Sequence, residues 1–106
     1  LPMTAYLIVR AEVEKESRNK FDHWYETEHL PDALRKFTAV SAMRGWSDIE
    51  ANVHLAFYEF PDLPTVNNLL SSDLMKEFIK EFDSHWTGKV TRTREVFEIE
   101  QLLKNS

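Results

Sequence analysis

The spacing of apolar side chains changes several times along this chain, and the order of the changes leaves few folds open. Met3, Ala5, Leu7, Val9, Ala11 and Val13 recur every second residue, which predicts a strand. Ser17 is placed to cap a helix running to about His29. Pro31 disfavours helical geometry at Leu30, so a kink is predicted there, followed by a short turn over 32–37. Residues 40–46 and 52–60 read as strands two and three, joined by the linker SDIEA. PDLP then breaks the chain before a short helix carrying Val66, Leu69 and Leu70. Leu74, Met75, Phe78, Ile79, Phe82 and Trp86 recur at intervals of three and four, the apolar stripe of an amphipathic helix. Ser72 or Asp73 caps its start, and Gly88 stands where a left-handed C′ residue belongs. Residues 89–99 supply a fourth strand.

The order β-α-β-β-α-β predicts an α+β, ferredoxin-like fold: a four-stranded antiparallel sheet with helices on one face. No composition shift or repeat divides residues 1–106, which read as one domain.

The formal charge of −5 argues against nucleic acid, whose phosphates demand a basic footprint. Lys89, Arg92, Arg94 and, distantly, Lys104 gather basic charge, and a solvated edge strand accounts for them. Without cysteine there is no thiolate metal site, disulfide or cysteine nucleophile, and a reducing, cytoplasmic setting is expected. The longest clean apolar run, Ala5 to Val9, is far short of a membrane span, and no basic-then-apolar leader precedes it. Two glycines make no phosphate cradle.

Helices cover one face of such a sheet. The other is expected to carry residues such as Tyr6, Ile8, His54, Tyr58, Phe60, Phe97 and Ile99. An apolar face of that extent calls for a cover, and face-to-face pairing of two copies in a homodimer provides one.

Within FDHWYETEHLPDALRKF and the following strand VSAMRGW, an aromatic pair leads to His-x-Pro, carried by Trp24, Tyr25, His29 and Pro31. This passage resembles the helix-to-strand passage of EthD-like members of the dimeric α+β barrel superfamily. The resemblance implies a homodimer that binds a small organic ligand between sheet and helices. Relatives in that superfamily include monooxygenases without a prosthetic group, muconolactone-type isomerases, polyketide cyclases and haem-binding members. One departure is Thr38-Ala39, where EthD-like chains commonly carry Pro-Gly.

On a helical wheel Phe21, Trp24, Tyr25 and Glu28 share one stripe, with Asp22, Glu26 and His29 on the neighbouring row. This places Glu28 and His29 side by side at the inner end of the aromatic face, in the last turn. There the negative end of the helix dipole raises both pKa values toward the range of proton transfer. A coupled Glu28–His29 pair pointing into the cleft is therefore expected. The plainer readings are an ion pair from Glu28 to Arg35, Lys36 or Arg44, and a helix-end hydrogen bond from His29. Tyr25 either orients a carbonyl or anchors the helix. A cleft lined by Tyr25, Trp46 and Trp86 is expected, with Trp24, Arg44, His54 and Tyr58 as further ligand contacts. Each of these also reads as core, or, for His54, as a dimer contact. His23 and His85 read as solvent-facing. No HxH, HxxxH or HxxEH spacing suggests a metal, and no cofactor is expected. An Asp22–Glu26–His29 ion site and a haem on His85 or His29 are the remote options.

The functional expectation is a homodimeric, small-molecule-binding protein. If it is an enzyme, the chemistry is metal-free proton transfer on an aromatic or polyketide-like compound, by an isomerase, cyclase, dehydratase or decarboxylase. The alternatives are an oxygenase without a prosthetic group and a non-catalytic ligand-binding accessory protein.

Overall fold

The structure is a computed structural model that describes residues 3–106. Four strands, β1 (Ala5–Val13), β2 (Ser41–Trp46), β3 (Val53–Phe60) and β4 (Val90–Glu98), form one antiparallel sheet in the order β2-β3-β1-β4. The helices are α1 (Arg18–Trp24), α2 (Leu30–Lys36), α3 (Leu63–Leu70) and α4 (Asp73–Trp86). This is the ferredoxin-like α+β fold that the order of periods predicts. Among the described residues no helix is long and apolar enough to cross a membrane.

Register decides which side chains meet the helices. Ala5, Leu7 and Ala11 are buried and stand opposite Phe60, Tyr58 and His54 of β3. Directly opposed residues share a face. His54, Tyr58 and Phe60 are therefore on the helix side, which corrects the expectation that they lie on the open face. Tyr6, Ile8 and Phe97 do lie there, and the pairings Ile8↔Phe57, Met43↔Phe57 and Arg10↔Leu55 add Met43, Leu55 and Phe57. Ile99 falls just past β4, its N–H donating to the Thr4 carbonyl at 2.9 Å.

The first helical segment departs from expectation at both ends. Ser17 does not cap it; its hydroxyl donates to the Glu14 carboxylate at 2.9 Å from within a 3₁₀ turn, Lys15–Ser17. Nor does Pro31 break it. A π-helical turn, Tyr25–His29, joins α1 to α2, and the Leu30 N–H donates to the Tyr25 carbonyl, five residues back. Proline lacks the N–H of a regular helix and crowds the carbonyl four residues before it. Widening the preceding turn relieves both problems, and Leu30 keeps helical dihedrals.

α2 ends in a Schellman motif. Ala39 N–H donates to Leu34 O at 3.2 Å and Thr38 N–H to Arg35 O at 3.3 Å, while Thr38 sits at φ 54°. A β-branched residue is poorly suited to that region, where glycine carries no penalty. At the other ends Ser72 and Gly88 act as expected, and Asp62 adds a cap that was not predicted. Asp62 and Ser72 cap α3 and α4 through Thr65 N–H (2.9 Å) and Met75 N–H (3.2 Å), and Gly88 adopts φ 82°. Thr38→Gly should stabilise the fold by about 1 kcal/mol, seen as a higher urea midpoint with an unchanged slope.

Candidate functional site

The π-helical turn builds one wall of the site. Residues five apart on a regular α-helix lie about 140° around the axis from each other, whereas a π turn brings them into line. Trp24 and His29 accordingly stack, with centroids 4.5 Å apart and planes 19° from parallel. Tyr25 meets the other flank of His29 edge-on at 4.8 Å, and Phe78 and Phe82 of α4 close around it, each at 5.7 Å. The same local change moves Glu28 off the aromatic stripe. Glu28 is exposed on the outer surface near Asn19, Lys20 and His23, so no Glu28–His29 pair forms in the cleft.

Between the helices and the sheet lies a cavity lined by Tyr25, His29, Tyr58, Phe78, Phe82, Arg92 and Arg94, with Leu7, Val9, Phe37, Met75 and Ile79 completing it. Its volume of about 30 Å³ holds about two waters, and it is an order of magnitude below the ~300 Å³ of the smaller drug-sized sites. Larger ligands require side chains at its mouth to move.

The Tyr25 and Tyr58 hydroxyls share a hydrogen bond at 3.0 Å. Burial pushes the Tyr25 phenol up to about 12 and raises that of Tyr58 as well, so both stay protonated. One of the two protons holds the pair together, and the other is available to a third oxygen. Burial, with the nearby positive charge of Arg92 second, pushes His29 down to about 4. The neutral ring is buried, and its Nδ1 has no hydrogen-bond partner. An orphaned buried nitrogen of this kind, on a ring that lines the cavity, asks for an explanation. Trp24 Nε1 and Trp86 Nε1 are also buried without partners.

The remaining expected contacts lie elsewhere. Trp86 and Trp24 pack around Phe21, at 5.2 and 6.2 Å, as core. Trp46 and Arg44 belong to a polar network at the other end of the helix. Asp22 Oδ1 accepts from Trp46 Nε1 at 2.8 Å and from Arg44 Nη2. Arg44 Nε in turn donates to His54 Nε2 at 3.2 Å. The network ties α1 to β2 and β3. The Trp46 hydrogen bond, reinforced by Arg44, holds the Asp22 carboxyl below its usual range. His54, desolvated and facing Arg44, is pushed down to about 4. Trp46 and Trp86 thus line no part of the cavity, because polar anchoring holds one and aromatic packing the other.

Arg92 and Arg94 were hidden by their position on an edge strand. Both fall on the same every-second-residue row as Val90 and Val96 and stand opposite Ala11 and Val9, so they face the helices. That alternation was the available signal, and edge-strand charge obscured it. His23 and His85 are exposed, as expected. Among the described residues no three His, Cys, Asp or Glu side chains are grouped to hold a metal ion. Asp22, Glu26 and His29 are split between the polar network, the solvent and the core.

The fold is a ferredoxin-like α+β architecture. No protein-family model matches the chain, and no curated protein matches it. Several solved structures share its fold. SnoaB, a cofactor-independent oxygenase from Streptomyces nogalater, is 11% identical over 97% of this chain and 99% of its own, with a TM-score of 0.67. An ethyl tert-butyl ether D (EthD) family protein from Bacillus halodurans is 18% identical over 88% and 97%, with a TM-score of 0.64. A candidate antibiotic biosynthesis monooxygenase from Deinococcus radiodurans is 9% identical over 96% and 98%, with a TM-score of 0.71. At these identities the likeness is one of fold.

Two buried neutral histidines set a pH dependence. In the unfolded chain each protonates near 6.5, and in the fold near 4. As pH falls below 6.5 the unfolded state binds more protons, so stability present above that pH is lost progressively down to about 4. Each histidine contributes a slope of about 1.4 kcal/mol per pH unit in this window. Urea midpoints measured from pH 7 to pH 4.5 should fall accordingly, and His29→Phe should remove about half of the slope.

Proposed function

We propose that this chain, as one domain, handles a small organic molecule at the Tyr25–His29–Tyr58 cavity by metal-free proton transfer. The compound class is aromatic or polyketide-like. Isomerisation, cyclisation, dehydration and decarboxylation all fall within this chemistry. The observation that carries the reading is the buried imidazole with an unpartnered nitrogen, beside a tyrosine pair with a proton to give. In such a step neutral His29 takes a proton from carbon next to a carbonyl, and a tyrosine hydroxyl donates to the carbonyl oxygen, forming the enol. Its low pKa makes His29 a weak base, so the step depends on that second proton being supplied at the oxygen. Glu28, out in solvent, has no part in it.

A second reading, an oxygenase without a prosthetic group, is favoured by a specific observation. The small, mostly apolar space suits a diatomic molecule, and SnoaB, of the same fold, is described as a cofactor-independent oxygenase. A cytoplasmic setting fits the cysteine-free composition.

The proposal includes a homodimer. Ile8, Met43, Leu55, Phe57 and Phe97 share a face that no helix covers, and Met43 and Phe97 are each 55% exposed. Two such faces packed together would bury about 2,000 Å² in total or more. Sedimentation should give a dimer at micromolar concentration, and Phe57→Asp should give a folded monomer. A wild-type monomer refutes the pairing.

For the site, compounds that raise the melting temperature identify ligands, and turnover is then followed. His29→Gln is expected to lower turnover about 100-fold or more while binding changes by only a few fold. Unchanged turnover removes His29 from the chemistry, and binding without turnover identifies an accessory binding protein.

A further inference from the structure

The mouth of the cavity carries more positive charge than the structure neutralises. The Arg92 side chain is only 10% exposed, yet among the described residues its one ion pair is to Asp83 at 3.5 Å, and Asp83 is itself 58% exposed. Its guanidinium lies over the Phe82 ring, 3.7 Å from the centroid. Stacking covers the face of the guanidinium and leaves its in-plane N–H groups as the available donors. Arg94 also lines the cavity and has no ion pair among the described residues. Burial, with the Arg94 charge second, lowers the pKa of Arg92 to about 10, and burial lowers that of Arg94. A buried, poorly paired guanidinium is costly, and a bound anion offsets the cost through charge-assisted hydrogen bonds.

The rest of the lining decides which anion. Phe78, Phe82, Ile79 and Met75 offer nothing to a second charge, and His29 and the tyrosines are neutral. A phosphate or a dianion would leave charge facing hydrocarbon. One carboxylate on an apolar body satisfies both surfaces.

We propose that the cavity is specific for small monocarboxylates, the carboxylate held by Arg92 and Arg94 and the apolar body lying against Phe78 and Phe82. This names the substrate class of the site described above and rests on that cavity being the binding site. As the side chains stand, the space takes an acid of a few heavy atoms. Arg94, which is exposed, can shift outward with the carboxylate still on its guanidinium, which makes room for a longer or aromatic body.

The test is a ligand-observed NMR titration of the full chain with acetate, butyrate and benzoate, each against its amide, and with inorganic phosphate. The acids should bind at least about 10-fold more tightly than the amides, and phosphate more weakly than benzoate. Arg94→Gln should weaken acid binding by about 10-fold and leave the amides unchanged. Arg92→Lys, which keeps the charge and loses the fork, should show the same selectivity. Arg94→Gln, at an exposed position, keeps the test decisive should the Arg92 variant not fold. Acids and amides binding alike, acids indifferent to Arg94→Gln, phosphate binding as tightly as benzoate, or no acid binding would each overturn the proposal. A neutral ligand that binds in a His29-dependent manner while the acids fail would overturn the carboxylate and spare the cavity. An acid bound through Arg94, with turnover untouched by His29→Gln, would overturn the proton-transfer chemistry and spare the carboxylate site.

Discussion

The missing N–H of Pro31 shapes the site more than any other single constraint. A regular helix through this position would crowd a carbonyl and leave it unpartnered. The chain answers by opening the preceding turn, so that Leu30 reaches back to Tyr25. That one extra residue per turn stacks His29 against Trp24, turns Tyr25 toward Tyr58, and leaves Glu28 outside. The burial that makes His29 neutral is therefore a consequence of backbone geometry.

The helical layer has two polar zones with opposite designs. Around Asp22 the donors and acceptors are matched: Trp46 and Arg44 supply hydrogens to one carboxylate oxygen, and His54 accepts from Arg44. Such a network fixes the angle between α1 and the β2–β3 hairpin and has little left to offer a ligand. Around His29 the groups are unmatched: an imidazole nitrogen has no partner, Arg92 has one carboxylate at 3.5 Å, and Arg94 has no ion pair among the described residues. A matched network rigidifies, whereas unmatched groups in a cavity are open to a visitor.

The fold was legible in the sequence because it rests on period and punctuation, which local residues carry. The strands fall within a residue or two of the alternating runs, and Asp62, Ser72 and Gly88 act at the element ends. The site was only partly legible. Tyr25, His29 and Tyr58 do come together, the first two from the aromatic-His-Pro passage. Glu28 was misplaced because a helical wheel assumes 3.6 residues per turn, and the turn containing it does not have them. Arg44, Trp46 and His54 read as cleft contacts because nothing in the sequence pairs them with Asp22, which sits on the helical row beside the aromatic stripe. Arg92 and Arg94 were passed over because charge on an edge strand ordinarily faces water, and only the register with β1 shows these two facing inward.

That register also bears on how the molecule is made. The interior strand β1 pairs with the edge strand β4 from Ala5↔Glu98 to Val13↔Val90, so the first and last strands of the sheet lie side by side. Contacts this distant in sequence form late, after the loop between them has been closed against its entropy. During synthesis β1 emerges early and waits with one edge unpaired until β4 has left the ribosome. The two arginines arrive on that last strand. The tyrosine–histidine wall can form beforehand, but the cavity acquires its charged rim only in the final step of folding, so a chain stalled before β4 docks would display an aromatic cleft with no electrostatic selectivity.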